Sequence, residues 1–147
     1  MALKIQIRPK HKIIINGAVL ENVSSRSASF VLHNKASILK DADIIVAEEA
    51  VNPASRIYFS IQCMYLFPDG NASRLPIFNQ LVQDYLEAAP SSIEIISRLK
   101  AHVSVGEYYQ ALRAARELIN HEGVILSHGR QNSNVSEPSD GGDVEGD

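Results

Sequence analysis

Leu3, Ile5 and Ile7 alternate with Lys4, Gln6 and Arg8. A period of two predicts a half-buried strand, and Pro9 then interrupts the ladder. Ile13-Ile14-Ile15 and Ala18-Val19-Leu20 flank Asn16-Gly17, the dipeptide best suited to the two positive φ angles of a tight hairpin turn. Ser24–Ser27 reads as a loop. Phe30 and Leu32 alternate with Val31 and His33 in a further strand, and Ile38-Leu39 and Ile44-Ile45-Val46 as short β segments. Four or five short strands predict a small twisted antiparallel sheet.

At Asn52 the period changes to that of a helix. Asn52-Pro53 supplies an N-cap and a proline at the first helical position. Ala54, Ile57, Tyr58, Ile61, Met64 and Tyr65 then recur at spacings of three and four, while Phe59, Cys63 and Leu66 lie off that stripe. A helix apolar nearly all round is buried on more than one side. Pro68-Asp69-Gly70-Asn71 ends it. A second helix carries Phe78, Leu81, Val82, Tyr85, Leu86 and Ala89. A third, after Pro90-Ser91, carries Ile93, Ile96, Leu99 and Val103. Gly106 separates a fourth, with Tyr108, Ala111, Leu112, Ala115, Leu118 and Ile119, and Gly123 is its expected stop. At these positions most of the five tyrosines are packing residues. From Ser127 onward Ser, Gly, Asn and acids dominate, too little apolar surface to offset ordering entropy. The expected fold is α+β: a basic β module over 1–48, a bundle of about four helices over 52–123, and a disordered acidic tail over 127–147.

The chain has 147 residues and a net charge of −3, which taken alone argues against a nucleic-acid partner. Its distribution reverses that. Residues 1–40 hold Lys4, Arg8, Lys10, Lys12, Arg26, Lys35 and Lys40 against the single acid Glu21, a net of +6. Residues 131–147 hold five acids and no base. Segregated charge is a statement about partners. With Leu3, Ile5 and Ile7 facing the core, Lys4, Gln6 and Arg8 line the solvent face, and the other cations fall at strand ends and in loops. Such a surface is the footprint of phosphate binding. The same lysines would also guard strand edges against aggregation. On the last helix, Arg113 and Arg116 stand among Glu107, Glu117 and Glu122, which are expected to neutralise them.

No catalytic constellation emerges. The five histidines lack metal-ligand spacing, and the lone Cys63 has no partner for zinc or for an intramolecular disulfide. There is no Gly-x-Ser-x-Gly elbow and no phosphate loop. Asp41/Asp43 and Glu48/Glu49 fit helix-start acids. The expectation is a non-enzymatic protein without cofactor or metal. With no secretory signal, no membrane span and no cysteine pair, it is expected in the cytoplasm.

Separated stretches resemble one family. Pro53-Ala54-Ser55-Arg56-Ile57-Tyr58 with Gln62-Cys63-Met64-Tyr65-Leu66 resembles a central signature of the FlbT family of flagellum biosynthesis repressors. Tyr108–Arg116 with Leu118-Ile119 resembles its C-terminal one, and Met1–Lys4 and Asn34–Leu39 also fit. The resemblance spans about residues 1–122. The family's Gly-Glu near positions 10 and 11 is Lys10-His11 here, and a common proline is Ser37. What the resemblance implies is post-transcriptional control: association with the 5′ untranslated region of flagellin mRNA, promoting its degradation and so repressing flagellin synthesis. Relatives described as positive regulators leave the sign open. The order strand, Ile15-x-Gly17-x-x-Leu20 hairpin, strand, Asn34-x-Ala36, strand also looks like the carbon storage regulator, a small β dimer that binds mRNA leaders. By that analogy Lys4, Arg8 and Lys40 are the nearest RNA contacts, and a homodimer is one assembly to expect.

The expected function is therefore selective mRNA binding, with the flagellin leader as partner and the seven N-terminal cations as the RNA-binding residues. The rival is a protein-interaction adaptor whose helical bundle binds flagellin or another flagellar regulatory protein. Convergence of the cations on one exposed face favours RNA, and scattering favours the adaptor.

Overall fold

The computed structural model describes residues 2–132. Five strands come first: β1 (Leu3–Ile7), β2 (Lys12–Ile15), β3 (Ala18–Glu21), β4 (Ala28–Leu32) and β5 (Ile38–Lys40). Four helices follow: α1 (Pro53–Leu66), α2 (Asn71–Ala88), α3 (Ile93–Ser104) and α4 (Tyr108–Asn132). The architecture is the expected α+β.

The β module holds two sheets where one was expected. β1 pairs antiparallel with β4, and β2 lies between β3 and β5 in a three-stranded antiparallel sheet. The run Ile13-Ile14-Ile15 explains this layering. Successive strand residues face opposite ways, so three isoleucines in a row require both faces to be covered. Ile13 packs with Ile5 and Ile7 between the sheets, joined by Ile15, Leu32 and Ile38. Ile14 and Leu39, paired in register, turn the other way into the helical core. β5 and β2 are thus shared between the two halves of the molecule.

The hairpin turn forms as its dipeptide predicts, with Asn16 at φ 50 and Gly17 at φ 86. A side chain at Gly17 would also meet the Phe67 ring, 3.0 Å from an added Cβ. Asn16 locks the turn to the start of β5: its N–H donates to the Ser37 carbonyl (2.8 Å) and its Oδ1 accepts from the Ser37 N–H (2.9 Å). Lys10 also adopts a left-handed conformation, φ 69. That costs a non-glycine residue about 1 kcal/mol.

Two expectations are corrected. Ile44-Ile45-Val46 is not a strand, because its backbone is satisfied by a side chain. Gln62 of α1, itself buried, accepts from the Ile45 N–H (3.0 Å) and donates to the Ile45 carbonyl (2.8 Å). Tyr65, one turn on, does the same for Ile38: its hydroxyl accepts from the N–H (2.9 Å) and donates to the carbonyl (3.0 Å). Tyr58, one turn back, donates to the Asp43 carbonyl (2.6 Å). Tyr58, Gln62 and Tyr65 lie on one face of α1 at spacings of four and three. This face holds the connecting chain from β5 onward against the bundle. Second, α4 does not stop at Gly123. It runs to Asn132, through the expected end of the bundle and the expected start of the tail at Ser127. Gly123 takes no positive φ, and no proline follows in Val124-Ile125-Leu126 to break the ladder. The rest of the expected tail, 133–147, lies outside the described residues.

The acids Asp41/Asp43 and Glu48/Glu49 lie within two single 3-10 turns, Asp41–Asp43 and Ala47–Glu49. The helical core gathers Ala54, Ile57, Ile61, Met64, Phe78, Val82, Ile96, Leu99, Leu112 and Leu118, all buried. Tyr85 is buried there with a hydroxyl that lacks a hydrogen-bond partner among the described residues. Burial, aided by the nearby Glu122 carboxylate, pushes its phenol up to about 12. A raised pKa means stability that is fully present below pH 10, the unfolded value, and lost as pH rises through the folded one. Tyr85→Phe removes a polar atom that has no bond to lose, so its melting temperature at pH 7 should match or slightly exceed wild type. Between pH 10 and 12 wild type should lose stability faster than the variant. Urea titrations of both proteins across that range measure the difference, and parallel curves would show that the Tyr85 phenol does not drive alkaline unfolding.

Candidate nucleic-acid interface

All seven N-terminal cations are exposed, and none forms an ion pair among the described residues. Their positions follow from the strand register. Lys4 and Gln6 share the outward face of β1, opposite Val31 and Ser29 of β4. Arg8 continues that strand. Lys12 starts β2, and Lys40 ends β5 on the face it shares with Ile13, its partner in register. Arg8, His11, Lys12 and Lys40 therefore line one cleft of about 230 Å³ where β1 passes into β2.

Asn22 organises the same end of the module. Its side-chain amide donates to the carbonyls of Ile7 and Arg26, both at 2.8 Å. Its backbone carbonyl accepts from the Lys10 N–H at 2.7 Å. Five of the seven cations (Arg8, Lys10, Lys12, Arg26 and Lys40) thus gather around the β1–β2 turn. The acids nearby are Glu21, opposite Lys12 in register, and Asp41, whose Oδ2 accepts from the Lys12 N–H at 2.6 Å. Lys35 is not brought in. It lies in the β4–β5 loop at the hairpin end, away from the cluster, and Lys4 stands along the strand between them.

Lys40 also lines a second cleft, of about 320 Å³, with Leu3, Ala36, Ile38, Asp43, Tyr65 and Tyr109. Tyr109 and Asp43 in turn line a third of the same size, with Leu39, Tyr58, Leu112, Arg113, Arg116 and Glu117. The three openings adjoin through shared residues, so the surface runs from the β1–β2 turn across β5 onto α4.

Sequence reasoning passed over the far end of this surface, because it assigned the arginines of α4 to neighbouring acids. The structure gives those acids other partners. Glu117 accepts two hydrogen bonds from Arg98 of α3 (2.6 and 2.9 Å), which hold its carboxyl below the ordinary range. Glu107 accepts from His102 Nδ1 at 2.8 Å. Glu122 accepts from the Ala54 N–H at the start of α1, at 3.3 Å. Arg116 stacks on the Tyr58 ring, 4.8 Å from its centroid. Arg113 is exposed, with no partner among the described residues. The available signal was the spacing: Tyr109, Arg113 and Arg116 fall one turn apart on the side of α4 flanking its apolar stripe. Tyr109 is 40 % exposed. Its ring lies 6.2 Å from that of Tyr65, tilted by 48°. It is not a packing residue of the kind the helical spacing suggested, whereas Tyr58, Tyr65 and Tyr85 are.

Burial, partly opposed by the neighbouring Arg74, pushes the Cys63 thiol above its ordinary value, the reverse of a reactive cysteine. No helix among the described residues is long and apolar enough to cross a membrane.

Residues 3–126 match the family described as "Flagellar protein FlbT". The flagellum biosynthesis repressor protein FlbT of Caulobacter vibrioides is 36 % identical over 149 residues, covering 97 % of this chain and all of that protein. The probable flagellum biosynthesis repressor FlbT 1 of Bradyrhizobium diazoefficiens is 36 % identical over 122 residues, 83 % of each chain. No solved structure matches. The family match over most of the chain and the near full-length similarity to these repressors place the protein in the FlbT family.

Proposed function

We propose that this member of a family of flagellar regulators acts without catalysis, by binding the 5′ untranslated region of flagellin mRNA and promoting its degradation, so that flagellin synthesis is repressed. The observation that carries this reading is the gathering of five cations around the β1–β2 turn, none of them ion-paired among the described residues and three of them on one cleft. Unpaired cations on a rigid strand framework bind phosphate without first breaking an ion pair. Selectivity comes from unpaired bases, since side chains do not read the deep, narrow groove of an RNA duplex. Decay of the message then falls to a recruited nuclease or to blocked translation.

The rival adaptor reading needs an apolar face on the bundle. The α1 stripe of Ile57, Ile61 and Met64 is spent on the protein's own core, while Leu75 and Ile77 of α2 stay exposed and are among the apolar residues left to it. The test is ultraviolet cross-linking of the protein to RNA in growing cells, followed by sequencing of the bound fragments. Flagellin leaders should be enriched over the bulk message pool. Recovery of flagellin or other flagellar proteins without RNA supports the adaptor instead.

A further inference from the structure

We propose that the cleft between β5 and α4 is a pocket for one unpaired nucleotide of RNA, its base stacked on Tyr109 and its phosphate held by Arg113, with Lys40 in the adjoining cleft placed to take a neighbouring phosphate. This rests on the reading of the protein as an RNA-binding regulator and names a site on it that the N-terminal charge does not reveal. Three observations converge. Tyr109 is a large aromatic residue left partly open to solvent in a cleft, and an aromatic face is what an unstacked base seeks. Arg113 has no acid or acceptor among the described residues, because Glu117 is held by Arg98. Lys40 lines both the cationic cleft at the β1–β2 turn and the adjoining cleft that shares Tyr109 and Asp43 with this one, so a strand following the phosphates of the first would reach the pocket.

The opening of about 320 Å³ is at the lower end of the range for ligand pockets, a size for one nucleotide rather than a folded element. Its walls are preset. Tyr58 is fixed by its bond to the Asp43 carbonyl and by the stacked Arg116, whose Nη2 donates to the Tyr58 hydroxyl at 3.4 Å. Burial pushes the Tyr58 phenol up despite that guanidinium, so it stays neutral beside the arginine. The Asp43 carboxylate, at the same cleft, has no hydrogen-bond or ion-pair partner among the described residues, and there it can accept an N–H from a base edge. α4 carries Tyr109 and Arg113 one turn apart, so ring and guanidinium stand side by side along the cleft.

The experiment uses the full chain and a 12-nucleotide oligouridine with a central 4-thiouridine. Irradiation should cross-link the peptide that contains Tyr109. In binding titrations, Tyr109→Ala should weaken affinity about tenfold or more without changing the salt slope, because stacking is not ionic. Tyr109→Phe should keep wild-type affinity. Arg113→Gln should reduce the slope by about 0.7, the loss of one single-strand phosphate contact. Wild-type binding by both Tyr109→Ala and Arg113→Gln, together with loss in Arg8→Gln/Lys12→Gln, would overturn the pocket and leave the RNA reading standing. Cross-links confined to the β module would do the same. Absence of oligouridine binding by wild type at low salt would overturn both. Loss of flagellin capture by Tyr109→Ala, with oligouridine binding intact, would make the cleft a protein site and overturn the proposal.

Discussion

Ile61→Asp should abolish the cooperative thermal transition of this protein. Ile61 is fully buried at the middle of α1, in the core that also takes Leu99, Leu112 and Leu118 from the last two helices. The substitution exchanges a branched apolar side chain for a carboxylate with no cation within the core to pair it. Protonating the acid avoids the buried charge and still leaves an unsatisfied polar group, a cost of several kcal/mol in either form. Losing the isoleucine packing costs about 2–5 kcal/mol more, judged by truncation to alanine. A domain of this kind has about 5–15 kcal/mol in total, so the sum reaches most or all of it. Ile61→Val is the graded control, at about 0.5–1.5 kcal/mol. Circular dichroism melts and urea titrations of the three proteins give the comparison. A sharp, near wild-type melt for Ile61→Asp would mean that this face of α1 opens to solvent, and it would restore the bundle as a docking surface for the adaptor reading.

The second large effect is on binding. For about four single-strand phosphate contacts, log K should fall against log salt with a slope near −3, so affinity drops about 60-fold between 50 and 200 mM salt. Arg8 and Lys40 line the same cleft, and Arg8→Gln/Lys40→Gln removes two of those contacts. The slope should then halve, and the same salt step should cost only about eightfold. Arg8→Glu/Lys40→Glu adds repulsion and should take binding of a flagellin leader RNA below detection. Both side chains are exposed and free of ion pairs among the described residues, so the fold should survive, which circular dichroism checks. Arg113 and Arg116 are unsuitable controls, since they border a cleft that adjoins Lys40. Lys100, exposed on α3 and outside these clefts, serves instead, and Lys100→Glu should bind as wild type. Equal affinity and slope in the Arg8/Lys40 variants and wild type would remove these residues from the RNA surface. A wild-type affinity indifferent to salt would remove the phosphate-binding mechanism itself.

What the sequence determined by itself is local. Periods of two and 3.6 located the strands and helices, because each element buries one face and the spacing of apolar residues records which. Asn16-Gly17 announced its turn because few other pairs tolerate two positive φ angles. The family was also legible, since its motifs are runs of adjacent residues. Three things depended on residues far apart in the chain. Ile44–Val46 has the composition of a strand, yet Gln62, seventeen residues on, supplies its hydrogen bonds, and a strand is defined by what it bonds to. The two sheets arise because β2 must cover the helices with Ile14 and β1 with Ile13, a division visible only once the layers are stacked. The arginines of α4 seemed neutralised because acids stood near them in the sequence. A charge is neutralised by what lies within a few ångströms in space, and there Arg98, His102 and the first turn of α1 had already taken those acids.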